Sequence, residues 1–316
     1  MGKDQAGSAS EPDEPYESTE SPTGPPRVPE VVCGRYAVKE QIGSGSYSDV
    51  HLGIDKLTGQ RVAVKLEWQR AEKGRRLLEE AHLYKCLGAD GCHTPQVRWS
   101  GTEGEYNVMV LDLLGPSLES LFTSCGRRFS TKTVAMIALQ MLDRIEFVHS
   151  CGLVHRDVKP HNFLVGIGET ADRVYIMDFG LAKRYQNPET GNHIPCAQHR
   201  GVTGTVRYAS VNVHQGCEPS RRDDLEAIGY VLMHFLRGSL PWQGLKAPTK
   251  REKHEKIGRC KASTAAEELC RGHPPEFIKY FEHCRSLQYA ERPGYDYLRS
   301  LIRELLQRER LPGDPR

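Results

Sequence analysis

The chain has 316 residues, 38% hydrophobic and 27% charged, which suits a globular protein with one large domain or two lobes around a cleft. No apolar run reaches the ~18 residues that span a bilayer; the polar start Met1-Gly2-Lys3-Asp4 reads against a secretory signal, and Ala6 stands where a myristoylation motif wants Ser or Thr. The net charge of +2 is uneven: residues 1–30 hold seven acids against two bases, so the body is basic and favours acidic or phosphorylated partners.

Residues 1–30 are rich in Pro, Ser, Glu and Gly without periodic apolar positions, and a disordered acidic tail is expected there. The ordered domain is expected from 31 to 309, with 310–316 as a short C-terminal tail. Alternation predicts strands over 36–42, 50–54 and 61–67, joined by a glycine-rich turn and by Thr58-Gly59. A helix over 75–87 follows, carrying Leu77, Leu78, His82 and Leu83 at helical spacing, then strands over 97–102 and 106–111. Beyond Gly115-Pro116 the pattern becomes helical, over 131–150, 225–236 and 295–306. A strand-rich third followed by a helix-rich remainder predicts an α+β protein. Its small N-terminal antiparallel-sheet lobe (about 36–113) carries one helix, its larger lobe (about 115–309) is mostly helical, and the hinge lies near Asp112–Gly115.

Ten cysteines are scattered without a C-x-x-C pair, which predicts reduced thiols and a cytoplasmic protein, with the nucleus also open. His82, Cys86, Cys92 and His93 have the wrong spacing for a zinc knuckle. No basic-aromatic platform or reading helix points to nucleic acid.

The chemistry lies in four motifs. Gly43-Ser44-Gly45-Ser46-Tyr47-Ser48-Asp49-Val50 sits between two strands, where glycine lets backbone N–H groups approach phosphates; alone it reads as a hairpin turn. Lys65 ends the run Val62-Ala63-Val64, and alone it reads as a surface lysine. His155-Arg156-Asp157-Val158-Lys159-Pro160-His161-Asn162 matches H-R-D-x-x-x-x-N at every defined position, and Asp178-Phe179-Gly180 begins sixteen residues after Asn162. The four together, in this order, point to phosphoryl transfer from ATP. Magnesium takes hard oxygen ligands, which Asp178 and Asn162 supply. Asp157 accepts the substrate hydroxyl proton, and Lys159 neutralises charge on the moving phosphoryl group.

From Tyr36 to about Gln307 the chain resembles the casein kinase 1 family of protein serine/threonine kinases. The resemblance is carried by the motifs above and by four further stretches. These are Leu114-Gly115-Pro116-Ser117-Leu118, Thr203-Gly204-Thr205-Val206-Arg207-Tyr208-Ala209-Ser210, Ser220-Arg221-Arg222-Asp223-Asp224-Leu225-Glu226, and the run from Gly238 to Lys246. It implies the two-lobed protein kinase fold, ATP and Mg2+ as cofactors, and transfer to Ser or Thr of acidic or pre-phosphorylated protein substrates by a monomer. It further implies that Ile42, Gly43, Ser44, Gly45, Ser46, Val50, Ala63 and Lys65 contact nucleotide, with Glu80 pairing Lys65. Leu111 becomes the gatekeeper, and Asp112 and Leu114 the adenine-binding hinge. Arg207 and Lys246 become readers of an upstream phosphate or acid, although two surface cations would look the same. Asp224 becomes a buried cap on the catalytic loop.

Three residues depart from the family pattern: Ser48 for the third glycine, His161 for aspartate and Cys196 for tyrosine. His161 reads first as a tolerated change, although a histidine there would also add pH sensitivity near neutrality. Lys250-Arg251-Glu252-Lys253 reads first as a solvated helix face. A pseudokinase scaffold is the competing reading, and a small-metabolite kinase of similar shape a third. The complete set Lys65, Glu80, Asp157, Asn162 and Asp178 speaks against the scaffold.

Overall fold

The computed structural model describes residues 26–45, 48–69, 76–88, 93–198 and 201–309. The acidic segment through residue 25, Ser46, Cys92 and the C-terminal residues 310–316 lie outside them.

Alternating strands of the first third pair into one antiparallel sheet. Its members are β1 (Val31–Val32), β2 (Tyr36–Ser44), β3 (Asp49–Asp55), β4 (Arg61–Trp68), β5 (Val97–Glu103) and β6 (Tyr106–Asp112). Their order is β1-β2-β3-β4-β6-β5. The period of two sorts β4 by face. Val62, Val64 and Leu66 enter a small core with Tyr36, Val108 and Val110. Ala63 and Lys65 take the opposite face, where Ala63 opposes Leu111 and Lys65 opposes Met109. That second face receives α1 (Arg76–Leu87), whose Leu77, Ala81, Tyr84 and Leu87 join Met109 and Leu111 in the larger core. The buried Glu67 side chain caps this helix by accepting from the Leu77 N–H at 3.2 Å.

After β6 the chain is mainly helical. The segments are α2 (Leu118–Ser124), α3 (Thr131–Ser150), β7 (Leu153–Val154), β8 (Phe163–Val165), β9 (Val174–Ile176) and β10 (Lys183–Arg184). They continue as α4 (Val211–His214), α5 (Arg221–Arg237), α6 (Lys250–Ser263), α7 (Ala266–Leu269), α8 (Glu276–Ser286) and α9 (Tyr295–Glu309). Ser117 and Ser130 cap α2 and α3 by accepting from the Ser120 and Thr133 N–H groups, which is why those helices start there. Helix α5 is the axle of this lobe, with every residue from Asp223 to Leu236 buried. It opens with a Ser220/Asp223 capping box and stops at Gly238, whose φ of 83° ends the helix. Helix α9 packs against α3 and α8, and these two pack against α5. Each of its fully buried Leu, Val or Phe side chains contributes about 1.5–3 kcal/mol.

The result is the expected two-lobed α+β arrangement, and the predicted strands fall within two residues of their positions. Among the described residues no helix is long and apolar enough to cross a membrane.

Candidate active site

Between the lobes lies a cavity of about 400 Å3. The small lobe lines it with Gly43, Ser44, Gly45, Val50, Lys65 and Glu80, and the large lobe with Asp157, Lys159, Asn162 and Asp178. The β2–β3 hairpin forms one wall, closed by the Gly45 N–H donating to the Ser48 carbonyl at 2.8 Å. Ser48 itself lines the cavity.

Strand register turns Lys65 toward this space. Its Nζ lies 2.7 Å from Glu80 Oε2 and 3.4 Å from Asp178 Oδ1. Glu80 is buried, whereas its neighbour Glu79 is exposed. Burial drives the Lys65 ammonium toward neutrality, but the two carboxylates outweigh it and hold the pKa above its ordinary value. Burial likewise pushes the Asp178 carboxyl up, and Lys65, Lys159 and His155 outweigh it, leaving the group below the usual carboxylate range. Lys65 is therefore a cation and Asp178 an anion at neutral pH.

The catalytic-loop candidates are fixed by buried hydrogen bonds. Arg156 and Asp178 adopt φ of 66° and 67°, a left-handed conformation that costs a non-glycine residue roughly 1–2 kcal/mol. Asp224, on α5, accepts from the His155 and Arg156 N–H groups at 2.7 and 2.9 Å. His149 Nε2 donates to the same carboxylate at 2.9 Å, and its Nδ1 accepts from the Tyr295 hydroxyl at 2.7 Å. The Tyr84 hydroxyl on α1 accepts from the Asp178 N–H at 2.9 Å. Phe179 is fully buried, edge-on to Tyr84 with ring centroids 4.9 Å apart. Asp157 is 7% exposed. Its Oδ1 accepts from the Thr205 N–H and hydroxyl at 2.8 and 2.7 Å, and its Oδ2 from Lys159 Nζ at 2.5 Å. Asn162 Nδ2 donates to the Asp157 carbonyl at 2.9 Å, which leaves its amide oxygen for another partner.

The segment from Val206 to Ala209 is held from beneath. Trp242 Nε1 donates to the Arg207 carbonyl at 2.8 Å, and Lys261 Nζ to the carbonyls of Val206 and Ala209 at 2.9 and 2.5 Å. With its backbone fixed, Arg207 lines a recess of about 800 Å3 that opens from Lys159 and Asn162 toward Lys250, Lys253 and His254. Lys246 does not line it; the residue is exposed in the turn before α6, and its carbonyl accepts from Lys256 Nζ at 3.2 Å. Lys250 and Lys253, read from sequence as a solvated face, are the lysines beside Arg207. The first turn of α6 aims them there, and the polar α6 sequence carries little sign of that direction. His161 lines both spaces. Burial, outweighing the nearby Glu119, holds its pKa below the ordinary histidine value, so it is neutral at pH 7 and titrates only in acid.

Ile42, Ala63, Leu111, Asp112 and Leu114 are not among the residues that line this cavity. Ile42 is 49% exposed on the hairpin. Ala63 and Leu111 oppose each other across β4 and β6, with Leu111 buried. The Asp112 carboxylate turns to β5, accepting from the Gln96 N–H at 3.1 Å and Arg98 Nε at 2.6 Å. Asp112 and Leu114 line a separate surface recess. Ser46 lies outside the described residues. His82 and Cys86 approach each other at 3.5 Å, and no cluster of three metal-ligating side chains occurs among the described residues. Glu67, unmarked in the sequence, lines the cavity and accepts from Asn107 Nδ2 at 3.0 Å.

A cation held between two carboxylates, a buried carboxylate beside a lysine, and a hydrogen-bonded amide next to Asp178 are the parts a phosphoryl-transfer site uses. Residues 36–309 match the family model described as the protein kinase domain. That match spans most of the chain and both lobes, and the chain belongs to the protein kinase family.

Proposed function

We propose that this protein kinase transfers the γ-phosphoryl of ATP to Ser or Thr hydroxyls of proteins, with preference for sites near acidic or phosphorylated residues, in the manner of the casein kinase 1 family. The observation that carries the reading is the convergence of Lys65, Asp157, Lys159, Asn162 and Asp178 on one cavity. Lys65, kept charged by Glu80, holds the nucleotide phosphates. The Asp157 carboxylate, oriented by Thr205, takes the hydroxyl proton, and the ammonium of Lys159 offsets charge on the phosphoryl group. Magnesium fits the donor set: Asp178 and Asn162 would hold it through hard oxygens, the Asn162 nitrogen being engaged elsewhere. When bound, the ion neutralises phosphate charge. The backbone of Leu114 makes no hydrogen bond among the described residues and is the hinge group suited to adenine.

The preference for acidic or primed sites rests on the recess that Arg207 shares with Lys250 and Lys253. Arginine offers a phosphate two parallel N–H donors, and the lysines add charge.

The experiment is phosphorylation of casein and of paired primed and unprimed serine and threonine peptides with labelled ATP and magnesium. Asp178→Asn is expected to lose about 10²-fold or more in turnover, as for removal of a group that stabilises transition-state charge. Arg207→Ala is expected to weaken use of the primed peptide by about 10- to 100-fold, the loss of one charge-assisted contact worth ~1.5–3 kcal/mol, with little change on the unprimed one. Equal label with wild type and Asp178→Asn would favour a non-catalytic scaffold. Equal losses on both peptides would remove the priming role of Arg207.

A further inference from the structure

Two cysteines meet at the edge of the large lobe, away from the cavity. Ahead of α5 the chain runs antiparallel to residues near 198: Gln198 bridges Cys217, and the Glu218 N–H donates to the Ala197 carbonyl at 3.1 Å. Side chains two residues apart share a face of extended chain, so Cys196 lies on the face of Cys217, as its diagonal neighbour. The Cys196 side chain is close enough to that of Cys217 to influence its charge, and it also donates to the Ala197 carbonyl at 3.7 Å. Cys196 is exposed and Cys217 half-buried. Burial pushes the Cys217 thiol up, Cys196 and Asp223 add to it, and the Arg222 guanidinium opposes them in part. The pairing is an isolated bridge and not a ladder, so a shift of one chain that brings the two sulfurs to bonding distance breaks few backbone hydrogen bonds.

We propose that Cys196 and Cys217 are a reversible disulfide-forming site, closed by a peroxide that reaches the exposed thiol first. The Cys196 thiolate attacks the peroxide, the O–O bond breaks, and hydroxide leaves a sulfenic acid on Cys196. The Cys217 sulfur then attacks that sulfur; the S–S bond forms, the S–O bond breaks, and the oxygen departs as water with the Cys217 proton. Two thiols lose two electrons and two protons, and one peroxide becomes two waters. A dithiol reductant reverses the step. The closed ring contains Thr205, which orients Asp157, and Arg207. Thus the modification clips together the two ends of the segment that carries both.

The site is read by peptide mapping of the full chain, which requires no kinase activity and is independent of the functional reading above. Reduced, desalted protein is exposed to stoichiometric hydrogen peroxide, remaining thiols are alkylated, and the protein is digested without reductant. The expected product is one peptide pair joined through Cys196 and Cys217, lighter by two hydrogens than its separated parts and released by dithiothreitol. Cys196→Ser, a change at an exposed position, removes the link. In Cys217→Ser the sulfenic acid on Cys196 persists and is trapped by dimedone. The wild-type map and the Cys196→Ser arm decide the matter even if Cys217→Ser folds poorly. The proposal is overturned if both thiols are alkylated at a dose that oxidises other exposed cysteines. It is overturned equally if Cys196 proceeds to sulfinic acid with Cys217 alkylated, or if its links scatter among Cys33, Cys86 and Cys125.

Discussion

Gly204 illustrates how little space the site leaves at single residues. Its φ is 80°, and a Cβ there would come within 2.3 Å of the Arg156 carbonyl. The clash is with backbone, so neither rotamer change nor a flexible side chain relieves it. The next residue, Thr205, supplies both donors to Asp157 Oδ1. Gly204→Ala is therefore expected to displace Thr205, release one side of the Asp157 carboxylate and lower kcat about 10–100-fold, because sub-ångström placement governs proton acceptance. The melting temperature should fall only modestly, since the segment lies at the surface of the core. Parallel kcat and thermal-melt measurements check this; wild-type turnover in Gly204→Ala would show that the Arg156–Gly204 contact does not position the carboxylate.

At the scale of elements, α6 joins the Val206–Ala209 segment to the helical lobe through groups that bury their charge. Lys261, fully buried on α6, lies 4.8 and 5.0 Å from the ring centroids of Tyr230 and Trp242, and burial pushes its pKa down to about 7. His214, on α4, packs against Gly258 of α6, where a Cβ would lie 2.9 Å from the imidazole. Burial, with Lys261 second and His254 adding to it, pushes the His214 pKa down to about 4, against the partial opposition of the Val206 carbonyl. The unfolded chain, with its histidine near 6.5, binds more protons than the folded one between about pH 4 and 6.5. Stability from this group is thus present above pH 6.5 and lost as pH falls toward 4. Asp223, pushed up to about 6 by burial, acts in the opposite sense over part of that range. The difference between wild type and His214→Gln isolates the histidine. Wild type is expected to lose on the order of 1–2 kcal/mol more than His214→Gln between pH 6.5 and 4.5, after discounting for partial exposure. Urea titrations at several pH values test it, and parallel curves for the two proteins would assign the acid sensitivity elsewhere.

Across the whole molecule, the lobes share one apolar core. Leu77, Tyr84 and Leu87 of α1 belong to the same cluster as Phe179, Leu153 and the helices behind them. The Lys65–Glu80–Asp178 contacts and the Tyr84–Asp178 hydrogen bond cross the cleft, so the small lobe is held with its charged groups already facing the large one. A ligand that binds only this folded arrangement stabilises it by mass action, by about 2.7 kcal/mol at a hundred times its dissociation constant. Raising ATP with magnesium should therefore raise the melting temperature of wild type by several degrees. Asp178→Asn should lose the magnesium-dependent part of that shift and keep a smaller response to ATP alone. Identical shifts in the two proteins would remove Asp178 from the metal site.

Local sequence determined the parts that depend on neighbouring residues. Alternation fixed which side of β4 Lys65 occupies, and helical spacing marked α1, α3 and α9. The motif spacing likewise made Asp157, Asn162 and Asp178 legible as candidates before any coordinates. Tertiary structure alone decided what depends on distant chain segments meeting. It chose Lys250 and Lys253 over Lys246 beside Arg207, made Glu67 a helix cap and cavity wall, left Asp112 bound to β5, and brought Cys196 against Cys217. The two-residue strands β7 and β10 and the polar helix α6 carry too few periodic apolar positions to announce themselves. Their positions follow from tertiary packing: β7 lies against α3, β10 pairs with β7, and α6 packs on α4. A side chain's direction is a property of the whole packed molecule, whereas its periodicity belongs to the sequence.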